Sequence, residues 1–195
     1  MTGLAGVDDL VAIVGSLPDG PCGIDWDGDE SELGITLPRD YKEFIERSGV
    51  SRINGISVAA PAGGDGISRS VSAVTEEISL IYEGNRAEFP DAVQGVVDAQ
   101  GLFAGCGGLI PIPFHPGRPG LVAWGEDLGG ANIYWLTEGE PYEWPVVVDY
   151  RDDIWERHDM SACEFLVEAV TGRLDSNIIK GEYVAQRPVL VERFG

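Results

Sequence analysis

The 195-residue sequence predicts an α+β fold, a single domain in which an antiparallel β-meander of about five to six strands packs against several helices. The main observation is the stretch 109–148, where four short apolar runs are separated by turn-forming residues. Strands this close in sequence leave no room for a helical crossover, so we expect them to pair antiparallel. Helical patterns stand before and after the meander, not between its strands, which is typical of α+β proteins. The four predicted strands are 109–114, 121–124, 133–136 and 144–148.

Two helices are predicted in the first fifty residues. Residues 4–16 repeat apolar side chains at helical spacing. Residues 37–49 do the same, with Pro38 suited to a first helical turn and Gly49 to the C-terminal end. The acidic stretch 25–32 between them is expected to be a loop that enters a short structured segment.

The middle of the chain gives weaker patterns. Residues 56–60 predict a strand, 75–82 a helix, and 93–97 another short helix. The long insert 61–108 has no other landmark. The side chains predicted to face inward from the helix at 75–82 are Ile78, Ile81 and Tyr82.

The chain is expected to end with one well-delimited helix. Residues 150–159 are charged and are expected to be irregular. Residues 161–172 then form a helix, because Ser161 and Glu164 have the spacing of a capping box. In the tail 173–195, the segments 183–185 and 188–191 could add an edge strand, the only sheet position that tolerates Pro188.

Alternation along the meander places its aromatic side chains on both faces of the sheet. Ile133 and Trp135 are expected on one face and Tyr134 on the other. Burial under helices would explain these aromatics as core. Exposed aromatics rimmed by acids would instead mark a protein-binding surface.

The charge of the chain limits its partners. Thirty-three acidic and 13 basic residues give a formal net charge of −20. Such a surface repels nucleic acid and anionic lipid and attracts a basic protein, although acidity also serves solubility alone. No apolar run reaches the roughly 18 residues of a membrane span, and the N-terminus does not resemble a signal peptide. We therefore expect a cytoplasmic protein, and we favour a monomer.

The sequence contains no complete catalytic or metal-binding motif of the kinds described below. Asp25, Asp27 and Asp29 resemble the opening of a calcium loop, but Glu30 and Thr36 stand where that loop requires Gly and Glu. There is no His or Cys pair at metal-ligand spacing, no nucleophile elbow and no phosphate-binding loop. We expect no metal, no cofactor and no enzymatic activity.

One acidic pair leaves an enzymatic alternative open. Glu126 and Asp127 are predicted in a hairpin turn and could serve acid–base hydrolysis, although adjacent acids in a turn are usually only solvated. The same acids could instead contact a partner, together with acids and one tryptophan elsewhere. The predicted partner-binding residues are Trp26, Asp27, Asp29, Glu126, Asp127, Asp152 and Asp153.

The segment from residue 32 to residue 49 resembles a known signature. The order ELG at 32–34, Leu37-Pro38, Asp40-Tyr41, Phe44 and Gly49 resembles the E-LG-x-x-LP-x-DY-x-x-F…G pattern of the SUKH superfamily. This superfamily includes fungal regulators of cell-wall synthesis and bacterial immunity proteins.

The resemblance covers about residues 28–150 and implies a non-catalytic α+β binding domain. Bacterial members neutralise the toxin domains of polymorphic toxin systems, often nucleases or deaminases. The resemblance therefore implies an immunity protein, and the net charge of −20 favours binding of a basic toxin domain through an acidic surface. A regulatory scaffold related to cell-wall synthesis is the alternative, and a carboxylate-based hydrolase is the third hypothesis.

Overall fold

The computed structural model describes residues 5–15, 24–59, 70–88, 96–97, 103–104, 113–117, 119–150, 154–180 and 183–193. These residues confirm the α+β fold. The helices are α1 (Ala5–Val14), α2 (Trp26–Leu33), α3 (Arg39–Ser48), α4 (Val71–Glu88) and α5 (Ala162–Thr171), with a 3-10 turn at Pro141–Glu143. The strands are β1 (Ser51–Ile53), β2 (Ile56–Val58), β3 (Val96–Val97), β4 (Phe103–Ala104), β5 (Leu121–Asp127), β6 (Ala131–Leu136), β7 (Val146–Tyr150), β8 (Ile154–His158) and β9 (Val191–Arg193). None of the described helices is long and apolar enough to cross a membrane.

The strands form one sheet in the order β3-β4-β8-β7-β6-β5-β2-β1-β9, more strands than predicted. All pairs of named strands are antiparallel, and β5 to β8 form the meander at its centre. Of the predicted strand at 109–114, residues 109–112 lie outside the described residues. Phe114 forms an isolated parallel bridge with Leu121.

Helices cover both faces of this sheet. Trp124 and Trp135 lie on the face covered by α1, α3 and α5, and they stack with ring centroids 5.5 Å apart. Tyr134 and Trp155 lie on the face covered by α4, with centroids 5.8 Å apart. The predicted alternation of aromatic side chains is confirmed, and these aromatics are core.

The predicted helices at 4–16, 37–49 and 161–172 are present as α1, α3 and α5. The capping box of α5 is confirmed: Ser161 accepts a hydrogen bond from the Glu164 N–H, and Glu164 accepts one from the Ser161 N–H. Gly49 ends α3 with φ of 72°, a conformation that disfavours side chains.

Residues 25–32 differ from the prediction because most of them form helix α2, not a loop. Its turns carry too many acids to show an apolar stripe. The Asp25 carboxylate accepts a hydrogen bond from the Gly28 N–H at 3.0 Å, and Gly34 ends the helix with φ of 67°. The helix is therefore specified by its caps.

Three further predictions are wrong. Ile81 of α4 is 54% exposed, because the buried stripe runs through Val74, Ile78 and Tyr82. Val96–Val97 is a strand, not part of a helix. Residues 154–158 are not irregular but form strand β8. Its Glu156 side chain is buried and accepts hydrogen bonds from the Ser176 hydroxyl and the Asn177 N–H.

The tail adds the predicted edge strand, but as β9 at 191–193. Residues 183–185 form a turn.

Asp40 and Tyr41, which belong to the segment that resembles the SUKH signature, make contacts that stabilise the fold. The buried Asp40 carboxylate accepts a hydrogen bond from the Cys163 N–H at 3.1 Å, at the start of α5. The Tyr41 hydroxyl donates to the Ala59 carbonyl at 2.7 Å, and its ring packs edge-on against Trp135. Burial raises the pKa of this hydroxyl, so it stays a donor. In this chain the signature holds α3 between the sheet and α5.

Candidate functional site

An open cleft lies where the loop after α2 faces the connection between β6 and β7. Its volume is about 530 Å³, within the size range of ligand sites in proteins. Its lining residues are Glu30, Gly34, Ile35, Thr36, His115, Thr137, Gly139, Glu140, Pro141 and Trp144.

One wall of the cleft is held to the sheet by Thr137. Its hydroxyl accepts a hydrogen bond from the Gly120 N–H at 2.9 Å and donates to the Gly120 carbonyl at 3.0 Å. The next turn is closed by Glu143, whose carboxylate accepts from the Glu140 N–H at 3.2 Å. The backbone that presents Glu140 is therefore ordered by its own hydrogen bonds.

The opposite wall is organised by Glu30. Its Oε1 atom accepts from the Leu37 N–H at 2.9 Å and from the Lys42 ammonium at 2.6 Å. This carboxylate ties α2 to the start of α3 and balances the charge of Lys42. Among the described residues that line the cleft there is no lysine or arginine.

His115 lines the cleft from a third segment of the chain. Its Nε2 atom lies 2.6 Å from the Leu33 carbonyl oxygen. Because a carbonyl oxygen only accepts, Nε2 carries a proton in this contact. This bond gives His115 a structural role, because it holds the His115 turn against the end of α2.

Trp144 supplies aromatic surface to the cleft. The indole N–H donates to the Gly139 carbonyl at 3.3 Å, within the same wall. The ring packs on Trp135 with centroids 6.5 Å apart, and Trp144 is only 6% exposed. What the cleft receives from Trp144 is therefore rigid ring surface and not a free donor.

Comparisons of the chain with protein-family models, curated proteins and solved structures return no match.

The predicted partner-binding residues of α2 have different environments. Trp26 is half-buried, with its N–H donating to Glu46 at 2.7 Å and its ring packed edge-on against Tyr41. Asp27 is exposed, whereas Asp29 is only 5% exposed. Of this group, Asp27 presents its charge to solvent.

Glu126 and Asp127 lie in strand β5, not in the predicted turn, which is residues 128–130. Adjacent strand residues face opposite sides of a sheet, so the two carboxylates cannot act together on one substrate. Asp127 is buried and accepts hydrogen bonds from the Ala131 N–H at 2.9 Å and the Tyr183 hydroxyl at 2.6 Å. Burial and this carboxylate raise the pKa of Tyr183 to about 12. Asp127 therefore orders the hairpin and the tail.

Asp152 and Asp153 lie outside the described residues. Within the described part of the chain, no group of three or more His, Cys, Asp or Glu residues could hold a metal ion. Cys163 is a buried free thiol, and burial followed by the charge of Asp40 raises its pKa.

The outward face of α4 is a second surface that sequence reasoning missed. Leu80 and Ile81 are 61% and 54% exposed. Glu76 and Glu83 are exposed on the same helix. Apolar side chains ringed by charges are typical of protein contacts. The helical spacing of residues would have predicted this face if the buried stripe had been assigned to Val74, Ile78 and Tyr82. The cleft could not have been predicted from any local pattern.

Proposed function

We propose that the chain is a non-enzymatic immunity protein that binds and neutralises a basic toxin domain of the nuclease or deaminase class. The observation that carries the proposal is the charge of the surface. In the part of the chain that the structure describes, fifteen acidic side chains are exposed, against five basic ones. Four of those five lie in the tail beyond α5: Arg173, Lys180, Arg187 and Arg193.

The distribution of charge supports a directed encounter with a basic partner. The cleft and the outward face of α4 carry exposed acids, while the exposed bases are concentrated in the tail. A field of this kind raises the association rate with a positively charged groove and lowers it for nucleic acid. The SUKH-like signature supports the same class of function.

The proposal is tested with the product of the adjacent gene. Purified protein and the neighbouring toxin domain should form a complex whose association rate falls steeply between low and physiological salt. Co-expression should restore growth to cells that carry the toxin. If no neighbour-encoded protein binds even at low salt, the immunity function is refuted.

A regulatory scaffold remains the alternative, and gene context separates the two. An adjacent toxin gene favours immunity, whereas a housekeeping context without such a gene favours a scaffold. A scaffold should also bind its partner without protecting cells from any toxin.

A further inference from the structure

We propose that the cleft between α2 and the β6–β7 connection receives an arginine side chain of the protein partner. This inference rests on the proposed function and assigns a specific contact to it. The cleft brings together three segments that are distant in sequence: residues 30–36, His115 and residues 137–144.

The polar groups of the cleft favour a ligand that donates hydrogen bonds. Glu140 and Glu30 line it with carboxylates, which only accept. Thr137 is already used in its exchange with Gly120, and the Trp144 N–H is used by Gly139. The charge of Glu30 is balanced by Lys42, but Glu140 is exposed, and no lysine or arginine is among the described lining residues, so the site disfavours an anion.

Aromatic surface beside a carboxylate favours a guanidinium group. Guanidinium is planar, donates five N–H bonds and stacks on aromatic rings, whereas an ammonium ion is a strongly hydrated point charge. Trp144 provides a ring held in place by Trp135 and Gly139, and Glu140 provides the charge.

The test uses N-acetyl-arginine amide as the probe and the full chain as the receptor. Backbone and indole N–H resonances are followed by NMR up to about 50 mM probe, enough to fill even a millimolar site. We expect saturable shifts at Gly34, Gly139 and the Trp144 indole that weaken as salt is added. N-acetyl-citrulline amide, the neutral analogue, should give no saturable shift.

Two charge-removing variants localise the probe. Glu140→Gln should weaken binding by about three- to fivefold, the effect of one solvent-exposed ion pair. Glu76→Gln removes the same charge from an exposed position on α4 and should leave the affinity unchanged. Both substitutions are at exposed positions and should leave the thermal midpoint unchanged.

The inference is overturned if arginine amide does not saturate, if citrulline amide binds equally well, or if Glu140→Gln and Glu76→Gln behave alike. Its failure is distinguishable from that of the proposed function. A toxin that binds the wild type and Glu140→Gln equally well refutes the arginine contact and leaves immunity standing. Saturable arginine binding without any toxin complex refutes immunity and leaves the cleft as a guanidinium site.

Discussion

Replacing Asp149 with alanine should destabilise the protein more than any surface substitution. The carboxylate is fully buried beneath α4. It accepts hydrogen bonds from the Tyr134 hydroxyl at 2.7 Å, the Tyr82 hydroxyl at 2.9 Å and the Asn132 amide at 3.0 Å. Asp149→Ala leaves these donors facing a cavity in a low-dielectric interior.

The expected loss in the free energy of unfolding is about 3–5 kcal/mol, because three donors lose their acceptor and each buried, unsatisfied donor costs about 1–3 kcal/mol before the structure relaxes. Removing one donor should cost less, because the carboxylate keeps its other partners. Tyr82→Phe and Tyr134→Phe should each cost about 1–2 kcal/mol.

Urea unfolding, followed by tryptophan fluorescence and circular dichroism, measures these values. Coincident transitions and an unchanged dependence on urea would show that the variants still unfold in one step. A cost below about 1 kcal/mol for Asp149→Ala, or an equal cost for Tyr82→Phe, would contradict the role of Asp149 as the shared acceptor of these donors.

Three further predictions concern binding, pH dependence and the signature residues. Leu80→Ser with Ile81→Ser should weaken the proposed toxin complex at least about tenfold, since the burial of two apolar side chains would be lost. Leu128→Ser, at a position that is 65% exposed in the β5–β6 turn, is the matched control and should have no effect by calorimetric titration. Burial alone would raise the pKa of Glu156, but His158, whose Nε2 atom lies 3.4 Å from the carboxylate, and hydrogen bonds from Ser176 and Asn177 outweigh it and lower the pKa. Glu156 therefore stabilises the fold at pH values above its unfolded pKa, and this stability is lost as pH falls through the lower folded pKa. In thermal melts, Glu156→Gln should make the decrease of the melting temperature at acid pH shallower. An unchanged decrease would contradict the assignment. Asp40→Ala removes the acceptor at the start of α5 and should cost about 1–2 kcal/mol in urea unfolding, whereas a cost near zero would show that the hydrogen bond to Cys163 is not needed.

Local patterns predicted the fold class and three helices because those features depend on neighbours in sequence. The α1 and α3 stripes and the capping box of α5 are signals of this kind. Helix α2 was missed because its stability comes from Asp25 and Gly34 at its ends and from the contact of Glu30 with Lys42. None of these produces an apolar period.

Residues at the candidate site could be predicted only in part, because their environments are set by distant segments. The sequence predicted Asp127 to be a solvated acid in a turn. In the structure it is buried and accepts a hydrogen bond from the Tyr183 hydroxyl, which is distant in sequence. Substituting lysine there should therefore unfold the hairpin and test nothing about binding. Asp27 remains a candidate on exposure alone. The cleft escaped prediction because Glu30, His115 and Glu140 meet only after the sheet has formed.

Helix α4, which covers the second face of the sheet, also determines which local opening motion the protein can undergo. Among the described helices, α4 alone packs there, through Val74, Ile78, Tyr82 and the bond to Asp149. Such a helix can detach in a sub-global opening that leaves the rest of the sheet protected from hydrogen exchange. A partner that clamps the outward side of α4 would suppress this opening. Slower amide exchange in α4, at unchanged exchange in β6 and β7, would then report occupancy of that side without any label on the partner.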